Sequence, residues 1–286
     1  MRKYEFTGET KNTGMFGNIT VRRIRATVEF GVVKVGDLGG WIEKEENLLQ
    51  EGNAWVCGNA EVYGDAKVCG DAEVRGNAKV CGDAEVYGNA EVYGNAEVCG
   101  NACVYGNAKV CGDAEVYGNA EVYGNAEVCG NACVYGNAKV CGDAEVCGDA
   151  KVYGNAEVCG NACVYGNAKV CGDAEVCGDA KVYGDAEVYG DAEVYGNAEV
   201  YGDAEVCGNA EVLQANHLLV IGPIGSRDAF TTFFRDKDNQ ISVRCGCFFG
   251  KIDKFLEKVQ QTHADRRYAL VYRAAVETAK IHIDLD

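Results

Sequence analysis

The sequence predicts a mainly β protein built around a parallel β-helix, a solenoid in which short strands stack from one coil to the next. The unit Gly-(Asn/Asp)-Ala-x-Val-(Tyr/Cys) fills residues 52–213, which is 27 units without an insertion. Within it, the apolar residues Ala and Val recur at the period of two that strands show. The 286-residue chain has 38 Gly but a single Pro, so a turn residue recurs without interrupting strand pairing.

The spacing within each unit predicts which side chains are buried. Ala and Val are two residues apart, as at Ala54 and Val56, so in a strand both face one side while position x and the Tyr or Cys face the other. Each Gly-Asn or Gly-Asp pair predicts a corner, because these residues tolerate left-handed backbone. One short strand cannot bury Ala and Val alone. Three units therefore form a triangular coil, and about nine stacked coils form a rod about 43 Å long.

This pattern resembles the hexapeptide repeat of left-handed β-helix proteins, in which an aliphatic residue and a small residue four places later, here Val56 and Ala60, face inward. The segment Arg22–Val56, RRIRATVEFGVVKVGDLGGWIEKEENLLQEGNAWV, also resembles the opening of uncharacterised bacterial and prophage hexapeptide-repeat proteins of the YdcK type. The left-handed sense and a relation to phage proteins are implied by this resemblance. It implies a fold and implies no activity.

Residues 1–51 are expected to form an N-terminal β cap, because the open end of a solenoid exposes its core and unpaired strand edges. A strand is predicted where apolar residues alternate with polar neighbours, at Ile24, Ala26, Val28 and Phe30. The stretch 36–52 is interpreted as a degenerate first coil. Its apolar residues are expected to cover the end: Leu38, Trp41, Ile42 and Leu48.

The repeat ends at residue 213, and the sequence of residues 214–286 predicts a small C-terminal α+β module. Three strands, a turn and two helices are expected, in this order: His217–Ile221, Ala229–Arg235, the turn at 236–239, Gln240–Cys245, and helices at about Lys251–His263 and Asp265–Ile281. Six of the nine Phe residues of the chain fall between Phe230 and Phe255. The module therefore has its own aromatic core and is the segment best suited to a specific pocket.

The formal net charge is −17, and the repeat carries the excess. Residues 52–213 hold 27 acidic and 8 basic side chains. This charge argues against direct nucleic-acid binding, which requires a basic face. No segment is apolar enough to span a membrane or serve as a signal peptide, so a cytoplasmic protein that does not bind membranes is expected. Most of the 17 Cys are then expected to be reduced surface thiols, with metal capture and disulfides between coils as alternatives.

Hexapeptide β-helix proteins include acyltransferases and zinc-dependent carbonic anhydrases, which need His at the surface of the coils and usually a protruding loop. The repeat has no insertion, and the three His of the sequence lie outside it, at His217, His263 and His282. We therefore expect no enzyme, no catalytic residue, no cofactor and no metal, and an acyltransferase is the least favoured alternative. Cys245, Cys247 and His263 offer at most an incomplete zinc ligand set, because structural zinc takes four ligands.

Tyrosines recur at coil spacing and are expected to form three ladders on the outside of the coils. Stacking of their rings would stabilise the sheet face. Aromatic ridges on an acidic surface would also suit a protein partner or a second copy of the chain, so a homo-oligomer is predicted. The candidate partner-binding residues are Tyr87, Tyr105 and Tyr123; Tyr117, Tyr135 and Tyr153; and Tyr165, Tyr183 and Tyr201.

Glutamates align as well, at Glu157, Glu175, Glu193 and Glu211. Like charges about 4.8 Å apart repel, so counter-ions or a basic partner are expected beside this row. The repeat would carry one net negative charge per about 2.3 Å of its length, against about 1.7 Å in duplex DNA. A DNA mimic is therefore an alternative function, although interspersed Lys residues weaken it.

The candidate anion-binding residues lie in the C-terminal module, at Ser226, Arg227, Arg235 and Arg244. They flank the predicted strands, and the guanidinium fork of Arg suits phosphate. A binder of the anti-defence type, which sequesters a nucleotide or another small anion, is therefore a further alternative. The function predicted first is a non-catalytic, phage-related β-solenoid scaffold or binding protein that displays its tyrosine ladders and acidic rows to a protein partner or to itself.

Overall fold

The computed structural model describes residues 2–264 and 266–285 and confirms the predicted fold class. The chain is a mainly β protein, a parallel β-solenoid of about ten turns with a small antiparallel sheet and two C-terminal helices. It divides into two compact units, Met1–Gly154 and Asn155–Asp286. There is about one turn more than predicted because strand stacking begins ahead of the first repeat unit. The left-handed sense stays a prediction.

The first unit begins with a β-hairpin that continues into the solenoid. Strands Tyr4–Thr13 and Ile19–Ala26 are antiparallel, and Leu38–Ile42 pairs antiparallel with the second of them. Leu38–Ile42 also pairs in parallel with Glu61–Val62, so this strand joins the hairpin to the coils. A 3-10 helix at Glu45–Asn47 follows.

Two details of the N-terminal prediction are wrong. The strand predicted to run through Phe30 ends at Ala26, because the chain folds back and the Gly36 N–H donates to the Ala26 carbonyl. Phe30 instead contacts Trp55 edge to face, with ring centroids 5.3 Å apart. Leu38 is 49% exposed and therefore does not cover the core, whereas Ile42 and Leu48 are fully buried.

The coils of the first unit form three stacks of parallel strands, in which each strand pairs with the equivalent strand of the next coil. After Leu38–Ile42, the first stack contains Glu61–Val62, Lys79–Val80, Glu97–Val98, Glu115–Gly118, Cys133–Gly136 and Lys151–Gly154. The second contains Trp55–Val56, Glu73–Val74, Glu91–Val92, Lys109–Val110, Glu127–Val128 and Glu145–Val146. The third contains Lys67–Val68, Glu85–Val86, Cys103–Val104, Glu121–Val122 and Lys139–Val140.

The coils of the second unit also form three stacks, with the same pairing of each strand to the third strand after it. The first contains Glu157–Val158, Glu175–Val176, Glu193–Val194 and Glu211–Val212. The second contains Cys163–Gly166, Lys181–Gly184 and Glu199–Val200. The third contains Lys169–Gly172, Glu187–Gly190 and Glu205–Gly208.

Backbone hydrogen bonds join each coil to the next. The N–H groups of Glu97, Cys99 and Asn101 donate to carbonyls of the following coil, at distances of 2.7–2.9 Å. Inside the coils, the Ala and Val of every repeat unit have no solvent exposure. The short strands therefore satisfy their backbone groups and bury their small apolar side chains by stacking.

A side-chain ladder runs along the corners. The Asn59 amide donates to Asn77 Oδ1 at 3.2 Å, Asn77 donates to Asn95 at 3.0 Å, and Asn95 donates to Asp113 at 2.8 Å. An amide both donates and accepts, whereas a carboxylate only accepts. Asp113 therefore ends this run of donors, and the corner asparagines contribute to cohesion between the coils.

The C-terminal module of the second unit is a four-stranded antiparallel meander with two helices. The strands are Leu218–Ile224, Ala229–Arg235, Ile241–Cys245 and Phe248–Lys251, with 3-10 turns at Ala215–His217 and Gly225–Arg227. The helices are Ile252–His263 and Arg267–His282. The expected start of the second helix, Asp265, lies outside the described residues. Buried Phe233, Phe255 and Val276 belong to the core between the sheet and the helices.

The module is attached to the last coils of its own unit by polar contacts. The Lys237 N–H donates to the Asn209 carbonyl at 3.0 Å, and the Glu205 N–H donates to Thr232 Oγ1 at 3.0 Å. The Phe249 ring lies so close to Gly208 that a Cβ there would be 2.4 Å from it. The sheet of the module therefore covers the end that the last coil would expose.

We expect Gly94→Ala to lower the free energy of unfolding more than Gly202→Ala does. Both Gly residues have positive φ, +78° and +64°, so both substitutions bear the cost of about 1–2 kcal/mol that a side chain imposes on left-handed backbone. A Cβ on Gly94 would also lie 2.8 Å from the Gly112 carbonyl oxygen of the next coil, whereas one on Gly202 meets nothing within 4 Å. Denaturant unfolding measures both losses, and equal losses would contradict close coil contact at the corners.

Candidate functional site

The nine candidate tyrosines stand in three ladders, one ring per coil. In the first unit, Tyr87, Tyr105 and Tyr123 stack with centroids 4.9 and 5.0 Å apart and rings parallel within 3°. Tyr117, Tyr135 and Tyr153 stack in the same way at 5.1 and 4.9 Å. In the second unit, Tyr165, Tyr183 and Tyr201 stack at 5.0 and 5.7 Å, and the last ring is tilted by 21°.

Glutamates of the following coil hold some of these rings in place. The hydroxyls of Tyr105 and Tyr183 each donate to a carboxylate, Glu121 and Glu199 respectively, at 3.2 Å. Burial and the Glu121 carboxylate raise the pKa of Tyr105 to about 12. The ladders are therefore ordered and only partly open to solvent, with Tyr201 as the most exposed member at 49%.

Cysteines at the same repeat position form columns, and two pairs are bonded. Cys81–Cys99 and Cys159–Cys177 are disulfides between consecutive coils, with Cα atoms 4.6 Å apart. The expectation of reduced thiols is wrong for these four residues, because stacking brings their Cα atoms within the range that disulfides span. A location in the cytoplasm, where thiols are kept reduced, stays a prediction.

The thiols of Cys111, Cys129 and Cys147 stand in a third column, within the first unit. Burial is the main cause that raises the pKa of Cys129 to about 12, and the neighbouring thiols of Cys147 and Cys111 add to it. Burial also raises the pKa of Cys111 and of Cys147. They are therefore protonated at neutral pH. Because the thiolate is the reactive form, this column is a weak nucleophile.

The row of aligned glutamates carries its own counter-charges. Lys237 Nζ lies 2.7 Å from Glu193, and Arg235 lies 2.6 Å from Glu211. Both cations come from the C-terminal module. The basic partner expected beside this row is therefore supplied, at its end, by the same chain.

The C-terminal module contains a cavity of about 160 Å³, here called the C-terminal cavity. Ser226 and Arg227 line it from a 3-10 turn, Ala229 from the strand that follows, and Cys245 to Phe248 from a hairpin. The two helices supply the rest. The residues from the helices are Phe255, Lys258, Val259, Thr262, His263 and Tyr272. Burial and the Cys245 thiol raise the pKa of Tyr272 to about 12, so its hydroxyl stays protonated.

The structure divides the four candidate anion-binding residues between two places. Ser226 and Arg227 line the C-terminal cavity. Arg235 and Arg244 instead face the coils, where they pair with Glu211 and Glu205, each at 2.6 Å. The two pairs of residues therefore do not converge on one ligand.

Cys245, Cys247 and His263 all line the C-terminal cavity. The Cys245 thiol already has partners, accepting from Thr231 Oγ1 at 3.3 Å and lying 3.9 Å from the Tyr272 hydroxyl. Among residues 2–264 and 266–285, no group of three or more His, Cys, Asp or Glu side chains is placed to hold a metal ion. In the same part of the chain, no helix is both long and apolar enough to cross a bilayer.

Sequence reasoning missed the contribution of the first module helix to the cavity. Phe255, Lys258, Val259, Thr262 and His263 all line it. Their spacing of three, four, seven and eight positions after Phe255 is that of one helix face. The helical spacing of these residues is visible in the sequence. That this helix face lines a cavity is visible only in the structure, where the hairpin and the 3-10 turn pack beside it.

No protein-family model matches the chain. The chain is similar to the uncharacterized acetyltransferase YdcK of Escherichia coli (strain K12), with 39% identity over 61 residues. Those residues are 20% of this chain and 19% of that protein, so the chain spans about a fifth of the relative's length. This similarity fits a hexapeptide-repeat protein.

We expect Cys81→Ser to lower the free energy of unfolding by about 3 kcal/mol under oxidising conditions, because the Cys81–Cys99 bond no longer closes its loop in the unfolded chain. Cys69→Ser is the matched control, since Cys69 occupies the same repeat position and is unbonded. Denaturant unfolding with and without dithiothreitol measures the effect. A loss that persists in full under reducing conditions would argue against the disulfide.

Alkaline titration tests the tyrosine ladders. A Tyr in the unfolded chain has a pKa of about 10, whereas Tyr105 in the fold has a pKa of about 12. Its contribution to stability is therefore complete below pH 10 and is lost as the pH rises towards 12. The phenolate absorbance of wild type and of Tyr105→Phe is measured as the pH is raised, and the difference between the two curves should appear near pH 12. A difference that appears near pH 10 would contradict a buried Tyr105 ring bonded to a carboxylate.

Proposed function

We propose that this chain is a non-catalytic binding scaffold whose coils present tyrosine ladders to a protein partner. The ladders are the observation that carries the proposal: nine rings stand in three ladders, with neighbouring centroids 4.9–5.7 Å apart. Each ladder forms an aromatic ridge that runs over three consecutive coils. Tyrosine is enriched at the energetic centres of protein interfaces, because its ring is apolar and its hydroxyl is polar.

The order within the ladders supports binding. Stacking on both sides restrains the ring of Tyr135, and a hydrogen bond to the next coil restrains the hydroxyl of Tyr183. A partner would then lose little side-chain entropy on this side of the interface. Aromatic side chains that are already rigid before the partner binds contribute to affinity with little loss of conformational entropy.

The charge around the ladders favours a partner with basic groups. Residues 52–213 hold 27 acidic against 8 basic side chains. A second copy of the coils would bring the same charge and be repelled, whereas a basic surface would be attracted and steered. Self-association is therefore a competing outcome of the test below.

A DNA mimic has less support than a binding scaffold. Lysines interrupt the acidic surface and pair with it, as Lys79 does with Glu97 at 2.9 Å and Lys169 does with Glu187 at 2.7 Å. Cations of the C-terminal module also engage the aligned glutamate row. Mimicry of a phosphate backbone would require these carboxylates to face a partner.

Acetyl transfer, which the name of the relative YdcK suggests, is the competing enzymatic function. It rests on a 61-residue match that covers 20% of this chain. The repeat is uninterrupted, and all three His of the sequence lie outside it, at residues 217, 263 and 282. The base and the protruding loop that such chemistry usually needs therefore have no counterpart in the repeat sequence.

We expect the triple substitution Tyr117→Ser, Tyr135→Ser and Tyr153→Ser to weaken capture of a basic partner at least about tenfold, because it removes one complete ridge. Tagged full-length protein would be recovered from cells of its source, and bound proteins would be quantified by mass spectrometry. The captured protein would then be purified and its affinity measured directly for wild type and variant.

The matched control replaces Cys111, Cys129 and Cys147 with Ser, which changes the same repeat position in three consecutive coils and leaves the ladders intact. Thermal unfolding checks that both triple variants remain folded. Equal affinity of the Tyr variant and wild type would contradict the proposal, as would a wild-type chain that binds only itself. Transfer of acetyl groups from acetyl-coenzyme A by the wild-type chain would contradict the non-catalytic part.

A further inference from the structure

The C-terminal cavity differs in charge from the acidic repeat. Three of its lining residues are basic, Arg227, Lys258 and His263, and none of the described lining residues is Asp or Glu. The chain as a whole carries a net charge of −17. The hydroxyls of Ser226 and Thr262 add two hydrogen-bonding groups to the rim.

Among the described residues, these basic side chains have no carboxylate in ion-pair contact. Within residues 2–264 and 266–285, Arg227, Lys258 and His263 form no ion pair, whereas Arg235 and Arg244 of the same module are each paired with a Glu. Arg227 and Lys258 are both exposed and line the same cavity, so an anion bound there would be attracted by both charges. The rim is therefore suited to an anionic ligand group.

The interior of the cavity is aromatic. Phe248, Phe255 and Val259 form its apolar wall, and Phe255 is only 3% exposed. The His263 ring lies 5.9 Å from the Tyr272 ring at an angle of 27°. Flat apolar surfaces of this kind suit a planar ring. The volume of about 160 Å³ is below the roughly 300 Å³ at which drug-sized sites begin, which limits the enclosed part of a ligand to about one ring.

We propose that the C-terminal cavity binds a phosphate monoester whose organic part is a single planar ring. The ring lies against Phe248 and Phe255, and Arg227 and Lys258 hold the phosphate at the rim. Phosphate fits better than carboxylate, because two permanent cations and two hydroxyls match a dianion with three terminal oxygens. This site is independent of the tyrosine ladders and of the scaffold proposed from them.

Isothermal titration of the full chain with defined probes tests the ligand class. Phenyl phosphate carries both groups, inorganic phosphate carries the anion alone, and benzoate carries a ring with a carboxylate. We expect phenyl phosphate to bind at least about tenfold more tightly than either of the other two. Uridine monophosphate, in which a sugar separates ring and phosphate, should bind more weakly than phenyl phosphate.

Substitutions at the rim test the site. Arg227→Ala and Lys258→Ala should each weaken phenyl phosphate binding about tenfold or more, because each removes a charge-assisted hydrogen bond. Arg267→Ala is the matched control: it removes an exposed Arg of the same module that does not line the cavity, and it should leave the affinity unchanged. Thermal unfolding of each variant without ligand checks that the module remains folded.

Several results would overturn the proposal. Absence of phenyl phosphate binding at millimolar concentration would remove the site. Equal binding of inorganic phosphate would remove the role of the ring, and equal binding of benzoate would remove the preference for phosphate. Tighter binding of uridine monophosphate would replace the single-ring class by a nucleotide. Unchanged affinity in a folded Arg227→Ala variant would place the ligand elsewhere.

Discussion

Parallel pairing between equivalent positions of consecutive coils is the constraint on which the solenoid depends. A strand of two to four residues has too few contacts to be stable by itself, and Val and Ala are too small to form a core within one coil. Stacking supplies both kinds of contact. Backbone hydrogen bonds join each coil to the next, and the Val and Ala side chains of the stacked coils are completely buried. Any change in the length of one coil would break this register for its neighbours.

The same register explains the surface, because it places like residues above one another. For tyrosine this is favourable, since the rings stack, and for asparagine it is favourable because amides donate and accept along a column. For glutamate it is costly, and the chain offsets the cost with Lys from neighbouring coils and with Lys237 and Arg235 from the C-terminal module. For cysteine it brings thiols close enough to bond, as at Cys81 and Cys99. The columns of Tyr, Asn, Glu and Cys are thus all consequences of the same register between coils.

The sequence predicts the periodic part of the fold well, since a constant unit leaves only one way to bury Val56 and its equivalents. It predicts contacts between distant, non-repeating segments poorly. The loop that follows the strand ending at Ala26 is closed by one hydrogen bond from the Gly36 N–H to the Ala26 carbonyl. The strand Phe248–Lys251, which was not predicted, pairs with a neighbour that periodicity does not reveal. The C-terminal cavity is a similar case. Arg227 and Lys258 are distant in the sequence and meet only because the hairpin and the first helix fold together.

Methyl NOE spectroscopy of the coils with assigned valines tests this parallel pairing between coils most directly. The register pairs Val98 with Val80 on one side and Val116 on the other, each three repeat units away. We expect the strongest contacts between valine methyl groups to join valines three repeat units apart, in the coils of both units. A dominant separation of two or four repeat units would mean coils of that many units and would contradict this pairing.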